Sequence, residues 1–254
     1  MRPAEKWRAD LAQWGIPKEI LDQASENPWI HPPALFQIPS RIESNPSHER
    51  AIEVNPKSVL DIGCGGGIAA FACVPPAKLV IGVDHQMEML EMFQQNALNR
   101  AVDSQVHLGD WPDIANEVGK ADVVTCHHVV YNIQKIEEFV SELISHANKR
   151  VVIEMPEFHP LSNMSPLWKH FWNLDRPTTP SAHDFTDVLK ELGVNSKMTL
   201  WPGEMRNDVD FDSQVRFMRI RLCLPESREN EVRELMLENQ PKSERKLATI
   251  WWDK

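Results

Sequence analysis

The stretch of this 254-residue chain that is richest in chemistry sets a carboxylate ahead of a run of glycines. In Val59-Leu60-Asp61-Ile62-Gly63-Cys64-Gly65-Gly66-Gly67 an apolar run leads into an acid and then a glycine turn, and residues 68–73 continue as an apolar segment. This is the pattern of a buried strand, a tight turn and a short helix. Glycines allow positive φ and close backbone approach, so such a turn can bring backbone N–H groups and a helix N-terminus up to a polar ligand. Asp84, Asp110 and Cys126 each stand at the end of a later strand pattern. Ligands of open α/β sheets sit beyond the carboxyl ends of the strands, so these positions converge on one site. His127, His128, Tyr131 and Asn132 follow at once, and histidine can move a proton near neutral pH.

The details of the glycine run separate the ligands it can take. A dinucleotide fingerprint beginning at Gly63 needs glycine at position 68, where the chain has Ile68. Asp61 is no part of that fingerprint and suits a ligand that carries a cation. With a hydrophobic pair, an acid and G-x-G-x-G in that order, residues 59–67 resemble the first motif of the class I S-adenosylmethionine-dependent methyltransferases, whose cofactor has an ammonium beside its sulfonium. The resemblance runs from 59 to 155 and is thinner outside. It implies an α/β fold, a Rossmann-like, doubly wound, seven-stranded and mostly parallel sheet, in the small-molecule branch of the family.

The resemblance also implies roles. Asp61, Gly63, Cys64 and Gly65 would form the cofactor loop, and Asp84 would hold the ribose hydroxyls, with His85, Gln86 and Met87 along adenine. Gly109, Asp110 and Trp111 occupy the segment where an acid reaches the adenine amino group and its neighbour packs by the ring. Asp110 is otherwise a helix cap or a surface acid, and Trp111 plain core. Cys126 and His127 would touch the methionine portion through backbone and close packing. His128 and Tyr131 are the expected catalytic residues, with Asn132 also facing substrate. An oxygen or nitrogen acceptor of high pKa needs a base, which His128 can supply; its other reading is a satisfied structural histidine. No metal is expected, since adjacent histidines on a strand do not readily face one ion and no third ligand has regular spacing.

The elements that must hold these residues are legible as alternating strands and helices. Strands are expected at 59–62, 79–84, 106–110, 121–126, 150–155, 196–201 and 247–252. Helices are expected at 47–52, 87–98 and 136–144, and from the cap Ser181 to Gly193. Residues 1–55 form an N-terminal helical extension: Trp7, Leu11 and Trp14 line one side of a helix, Pro17 opens a second, and 34–38 suit a further turn. Its tryptophans either anchor the extension on the sheet or help cap the substrate. Residues 56–254 form the methyltransferase domain. Within it 156–180, rich in proline and aromatics and without clear structure, reads as a lid-like connection, and 202–244 as a late helical insertion. In that insertion 215–224 favours a helix over a strand, with Arg216, Arg219 and Arg221 on a solvated face.

Composition narrows the partners. The formal charge is −10 and the mixture of residues is ordinary for a globular protein. A broad nucleic-acid surface is disfavoured, so DNA is not expected and RNA only with a local basic groove, for instance from Arg206, Arg216, Arg219 and Arg221. The Asn/Asp-Pro-Pro-Tyr/Phe segment of methyltransferases acting on exocyclic base amines is also missing after strand four. Four cysteines without C-x-x-C spacing suggest free thiols in a reducing compartment, and no run suits a membrane span, so cytoplasmic residence as a monomer or homodimer is the expectation. The aromatic connection favours a small, partly apolar or aromatic acceptor. The competing readings are an RNA methyltransferase, a cofactor-binding partner protein without catalysis, and a nucleotide-dependent oxidoreductase.

Overall fold

The computed structural model describes residues 1–29, 37–203, 210–238 and 245–254. The expected helical turn at 34–38 falls mostly outside them, as does Arg206. The order along the chain is α1 (Pro3–Ala12), α2 (Lys18–Leu21), α3 (Pro46–Ile52), β1 (Ser58–Ile62), α4 (Ile68–Ala72), β2 (Leu79–Asp84) and α5 (Met87–Asn99). Then follow β3 (Asp103–Leu108), β4 (Ala121–His127), α6 (Ile136–His146), β5 (Ala147–Pro156), α7 (Ser165–Trp172) and α8 (Ala182–Glu191). β6 (Lys197–Pro202), α9 (Phe211–Arg221), α10 (Glu229–Glu238) and β7 (Lys246–Asp253) complete it.

The strands make one seven-stranded sheet in the order β3-β2-β1-β4-β5-β7-β6. β1 to β5 are parallel, and β7 runs antiparallel to both β5 and β6. The strand order reverses between β1 and β4, which sets a crevice beyond their carboxyl ends. Because side chains alternate along a strand, Val59, Val80, Val123, Val152 and Trp251 pack one face with α3, α4 and α5. Leu60, Ile81, Val124, Ile153 and Trp252 pack the other with α1, α6 and α8. The third strand starts three residues before its expected position and stops at Leu108. It is an edge strand whose residues are half-buried or exposed, so Asp103, Ser104 and Gln105 pair with β2 without showing an apolar pattern.

Ser181 caps α8 in a capping box with Asp184, each side chain accepting from the other's backbone N–H. Ser181→Ala should lower unfolding free energy by about 1 kcal/mol; an unchanged denaturant midpoint would show that the remaining Asp184 contacts suffice.

A third cluster lies apart from the sheet. Ile16 and Ile20 from the extension, Met164, Leu167 and Trp168 from the connection, and Val215, Leu222 and Val232 from the insertion share one core. Three segments distant in sequence therefore build a single helical cap. The connection is not the structureless link its sequence suggests: a 3-10 turn at Pro160–Met164 runs into α7, and Asn173 closes it at φ 48°. Pro160 and Pro166 stand in the first turns, where a missing N–H costs nothing. The N-terminal tryptophans divide between two places. Trp7 is fully buried in the sheet core and donates to the Ile133 carbonyl at 2.9 Å, whereas Trp14 stacks on His159 at 3.8 Å. Arg219 and Arg221 correct the expectation of a solvated face. Both are buried: Arg219 pairs with Glu26 and Glu229, and the Arg221 guanidinium lies over Phe217. Neither can build a basic surface groove.

Candidate active site

The chain leaves β1 through Gly63, Gly65 and Gly67 at φ 67°, 50° and 93°. A Cβ at Gly63 would stand 2.4 Å from a Val129 methyl, and one at Gly67 2.3 Å from the Phe71 ring, so sterics demand glycine there. Several of the loop's N–H groups, however, are taken up within the chain. Gly63 and Cys64 donate to the Val83 carbonyl at 2.8 and 3.0 Å, Gly67 donates to the Cys64 carbonyl at 2.8 Å, and Gly65 donates to Asp84 Oδ2 at 3.0 Å. In the first turn of α4, the Ala70 N–H donates to Asp61 Oδ2 at 3.3 Å. β2 and two of the chain's own carboxylates thus take several of the donors expected to line the turn. A pyrophosphate would meet a carboxylate where it needs N–H groups, which counts against a dinucleotide.

Asp61 is 2% exposed, and its Oδ1 accepts from the Thr125 hydroxyl at 2.9 Å. Burial pushes its carboxyl up to about 7 against the pull of these hydrogen bonds. Asp84, at the end of β2, also accepts from the Gln86 N–H at 3.0 Å and is nearly buried. Leu108 pairs with Asp84 in the sheet register, and Leu108 and Met87 are both half exposed, apolar surface left open beside an acid. The exposed imidazole of His85 lies between Asp84 and Asp110, 3.9 and 4.0 Å from their carboxylates. Gly109, at φ 153°, leaves room for Ile114 and ties back through its N–H to the Asp84 carbonyl. Trp111 instead lies in the core, edge-on to His146 at 4.8 Å, in keeping with its plainer reading. The Cys64 and Cys126 thiols are buried and pushed well up by burial, so neither is a nucleophile. Only the backbone and packing of these two residues can serve a ligand.

Beyond β4 the structure joins residues that no sequence spacing links. His128 adopts φ 60°, rare for a side chain with a Cβ, and is fixed by its N–H donating to the Glu154 carbonyl at 2.7 Å. Its Nε2 lies 3.0 Å from Glu154 Oε1. Asn45 Nδ2 donates to the other oxygen at 3.2 Å. Burial alone would raise the Glu154 carboxyl, but neighbouring His127 and His128 and the Ser47 hydroxyl hold it well below the usual range. His127 is itself pushed down to about 4 by burial and is neutral near pH 7. With His127 neutral, His128, the Asn45 amide and the Ser47 hydroxyl are the partners left to keep Glu154 ionised at that pH. His48 from α3 lies parallel to His127 with ring centroids 6.1 Å apart. Among the described residues no group of three His, Cys, Asp or Glu side chains is arranged to hold a metal ion.

Glu154, Asn45 and His48 are the residues that sequence reasoning missed. The available signal was an acid inside the apolar run Val151-Val152-Ile153-Glu154-Met155. Tyr131 lies under the cap, its ring edge-on to His159 at 5.7 Å, and burial pushes its phenol up. No helix among the described residues is long and apolar enough to cross a membrane.

Residues 59–150 match the family model described as "Methyltransferase domain". A ubiquinone biosynthesis O-methyltransferase of Coxiella burnetii is 25% identical over 130 residues, 48% of this chain and 54% of that protein. Its counterpart in Vibrio campbellii is 36% identical over 86 residues, 34% of this chain and 37% of that protein. The chain thus spans about half or less of the length of these curated relatives. Among solved structures, the YcgJ protein of Bacillus subtilis superposes with TM-score 0.54 at 18% identity, over 82% of this chain and 97% of that one. A SAM-dependent methyltransferase from Archaeoglobus fulgidus gives 0.50 at 19%, over 82% and 92%. At these identities the structures attest the fold.

Proposed function

We propose that this chain, whose residues 59–150 are a methyltransferase domain on the class I methyltransferase fold, transfers a methyl group from S-adenosylmethionine to an oxygen or nitrogen of a small acceptor by in-line substitution. One observation carries the reading: a glycine turn that holds Asp61 and Asp84 through its backbone stands beside a His128–Glu154 dyad at the same strand ends. The relatives' printed names favour oxygen as the accepting atom.

The residues fit the cofactor. Asp84 has carboxylate lone pairs left for ribose hydroxyls, and Leu108 and Met87 offer apolar walls to adenine. Asp61 is a buried carboxylate to set against an ammonium. When bound, S-adenosylmethionine supplies a methyl group already activated on its sulfonium. The chain then has to position, shield and deprotonate. With Nε2–H given to Glu154, Nδ1 of His128 keeps its lone pair and takes the acceptor's proton as the new bond forms. Glu154 acts as a positioning residue that fixes the tautomer. The helical cap excludes water from the transfer.

The test is to incubate the protein with methyl-labelled S-adenosylmethionine and a panel of hydroxylated and amino-bearing small acids, phenols and alcohols. Label moving onto a panel member supports the reading. Tight binding of S-adenosylmethionine with no transfer to any small molecule would favour the non-catalytic partner. Asp84→Ala should weaken binding of S-adenosylmethionine by roughly 10–100-fold, the loss of charge-assisted hydrogen bonds worth about 1.5–3 kcal/mol. Unchanged affinity by calorimetry would remove Asp84 from the ribose site.

A further inference from the structure

Two polar groups at this site have no partner among the described residues. The Tyr131 hydroxyl and the Arg245 guanidinium make no hydrogen bond or ion pair with any described residue. Neither side chain is fully covered, although burial shifts both, the phenol up and the guanidinium down. Both side chains are half-buried, so a ligand can reach them from the open side.

The register fixes where Arg245 stands. It directly precedes β7, whose Leu247 pairs with Pro156, and the Glu157 N–H donates to the Lys246 carbonyl at 3.0 Å. Because β7 runs antiparallel to β5, Arg245 sits at the carboxyl end of β5, just beyond Glu154. The Arg245 carbonyl accepts from the Gly203 N–H, which anchors its backbone to the end of β6. The Tyr131 phenol and the Glu154 carboxylate are the acidic groups that bear on it, and Glu154 is already committed to His128 and Asn45. On the cap side, Arg221 is buried and also bears on Tyr131. His159, the aromatic neighbour, is neutral, pushed down to about 3 by burial and by Arg176. The Arg245 guanidinium thus meets a neutral phenol and a carboxylate engaged elsewhere. Phe158, next to Glu157, is half exposed at the same strand end and offers an apolar surface.

We propose that the methyl acceptor carries an oxyanion group, a carboxylate or a phosphate, on an apolar or aromatic body, and that Arg245 and Tyr131 hold this group while the accepting atom lies at His128. The inference rests on the methyl-transfer reading, with which it shares a site. A guanidinium presents paired N–H donors matched to such an anion, and a phenol adds a third. Burial of the unpaired cation makes an incoming anion favourable and a neutral isostere less so.

Calorimetry on the full chain, with and without saturating S-adenosylhomocysteine, tests this with benzoate, phenylphosphate and neutral benzyl alcohol as probes. The two acids should bind, and the alcohol about tenfold more weakly or not at all. Arg245→Gln and Tyr131→Phe should each weaken the acids about tenfold or more, with affinity for S-adenosylhomocysteine unchanged, and Arg245→Lys should recover part of the loss. The ratio of benzoate to phenylphosphate binding identifies the oxyanion. Binding of neither acid, equal binding of acid and alcohol, or acids indifferent to Arg245→Gln and Tyr131→Phe overturns the proposal. Acid binding that depends on Arg245 in a protein that does not bind S-adenosylhomocysteine would uphold the anion site and sink the methyl-transfer reading.

Discussion

His128→Ala is expected to lower kcat about a thousandfold, within the range by which a positioned general base accelerates a reaction, while leaving affinity for S-adenosylmethionine within about threefold. The side chain stands where proton removal is needed and makes no contact that holds the glycine loop; Val129, not His128, packs against Gly63. Glu154→Gln should lower kcat less, about tenfold to a hundredfold, because imidazole survives but loses the acceptor that fixes its tautomer. KM for the acceptor should stay within about threefold in this variant. A merely structural Glu154 would lower thermal stability along with activity. Residues acting as one unit are not additive, so the double variant should be no slower than His128→Ala alone. Undiminished kcat in His128→Ala would leave catalysis to positioning, with histidine only a structural neighbour.

The second large effect is expected at Asp61, where one substitution should move stability and affinity in opposite directions. In the ligand-free protein burial pushes its carboxyl up from 3.8 to about 7. Between those values the unfolded chain is ionised while the folded chain keeps its proton. The unfolded state then binds fewer protons, so stability falls as pH rises through this window and levels off above it. The cost above pH 7 is on the order of a few kcal/mol. Asp61→Asn removes it. The amide carbonyl can accept from the Ala70 N–H and the amide can donate to the Thr125 hydroxyl, whose own hydrogen then points to the Leu60 carbonyl. Thermal unfolding at pH 8 should show the variant more stable than wild type, with the difference vanishing near pH 4. Affinity for S-adenosylmethionine should fall about thirtyfold or more as the ammonium loses its anion. Calorimetry near pH 6.5 in buffers of different ionisation enthalpy should find a proton released on binding to wild type and none in the variant. A variant that is less stable at every pH, or binds as tightly, would mean that Asp61 serves the α4 N-terminus alone.

What the sequence made legible follows from which physics is local. Alternation and β-branched runs fix β1, β2, β4 and β5 because these strands are buried on both sides, and the acids at their ends mark the cofactor edge. The edge strand β3 begins in polar residues because one of its sides has no neighbour. The glycine loop was readable as a turn, but the fate of its N–H groups was not, since Val83 and Asp84 come from another strand. Glu154 escaped notice for the same reason: it lies 26 residues from His128, and only the β4–β5 pairing brings them together. Arg219 reads as surface in a charged helix, and only its tertiary partner Glu26, 193 residues away, reveals a buried ion pair.

The chain enters β6, departs through α9 and α10, and returns as β7 between β5 and β6, so the insertion is one long excursion from a sheet edge that closes behind it. The entropic cost of such a closure grows only with the logarithm of its length. Helices can therefore be lengthened, shortened or exchanged there at little cost to the sheet, while Arg245 stays at the point of re-entry. In evolutionary terms the cofactor edge and the choice of acceptor are separately inheritable, and related chains could diverge in what they methylate without re-solving how they fold.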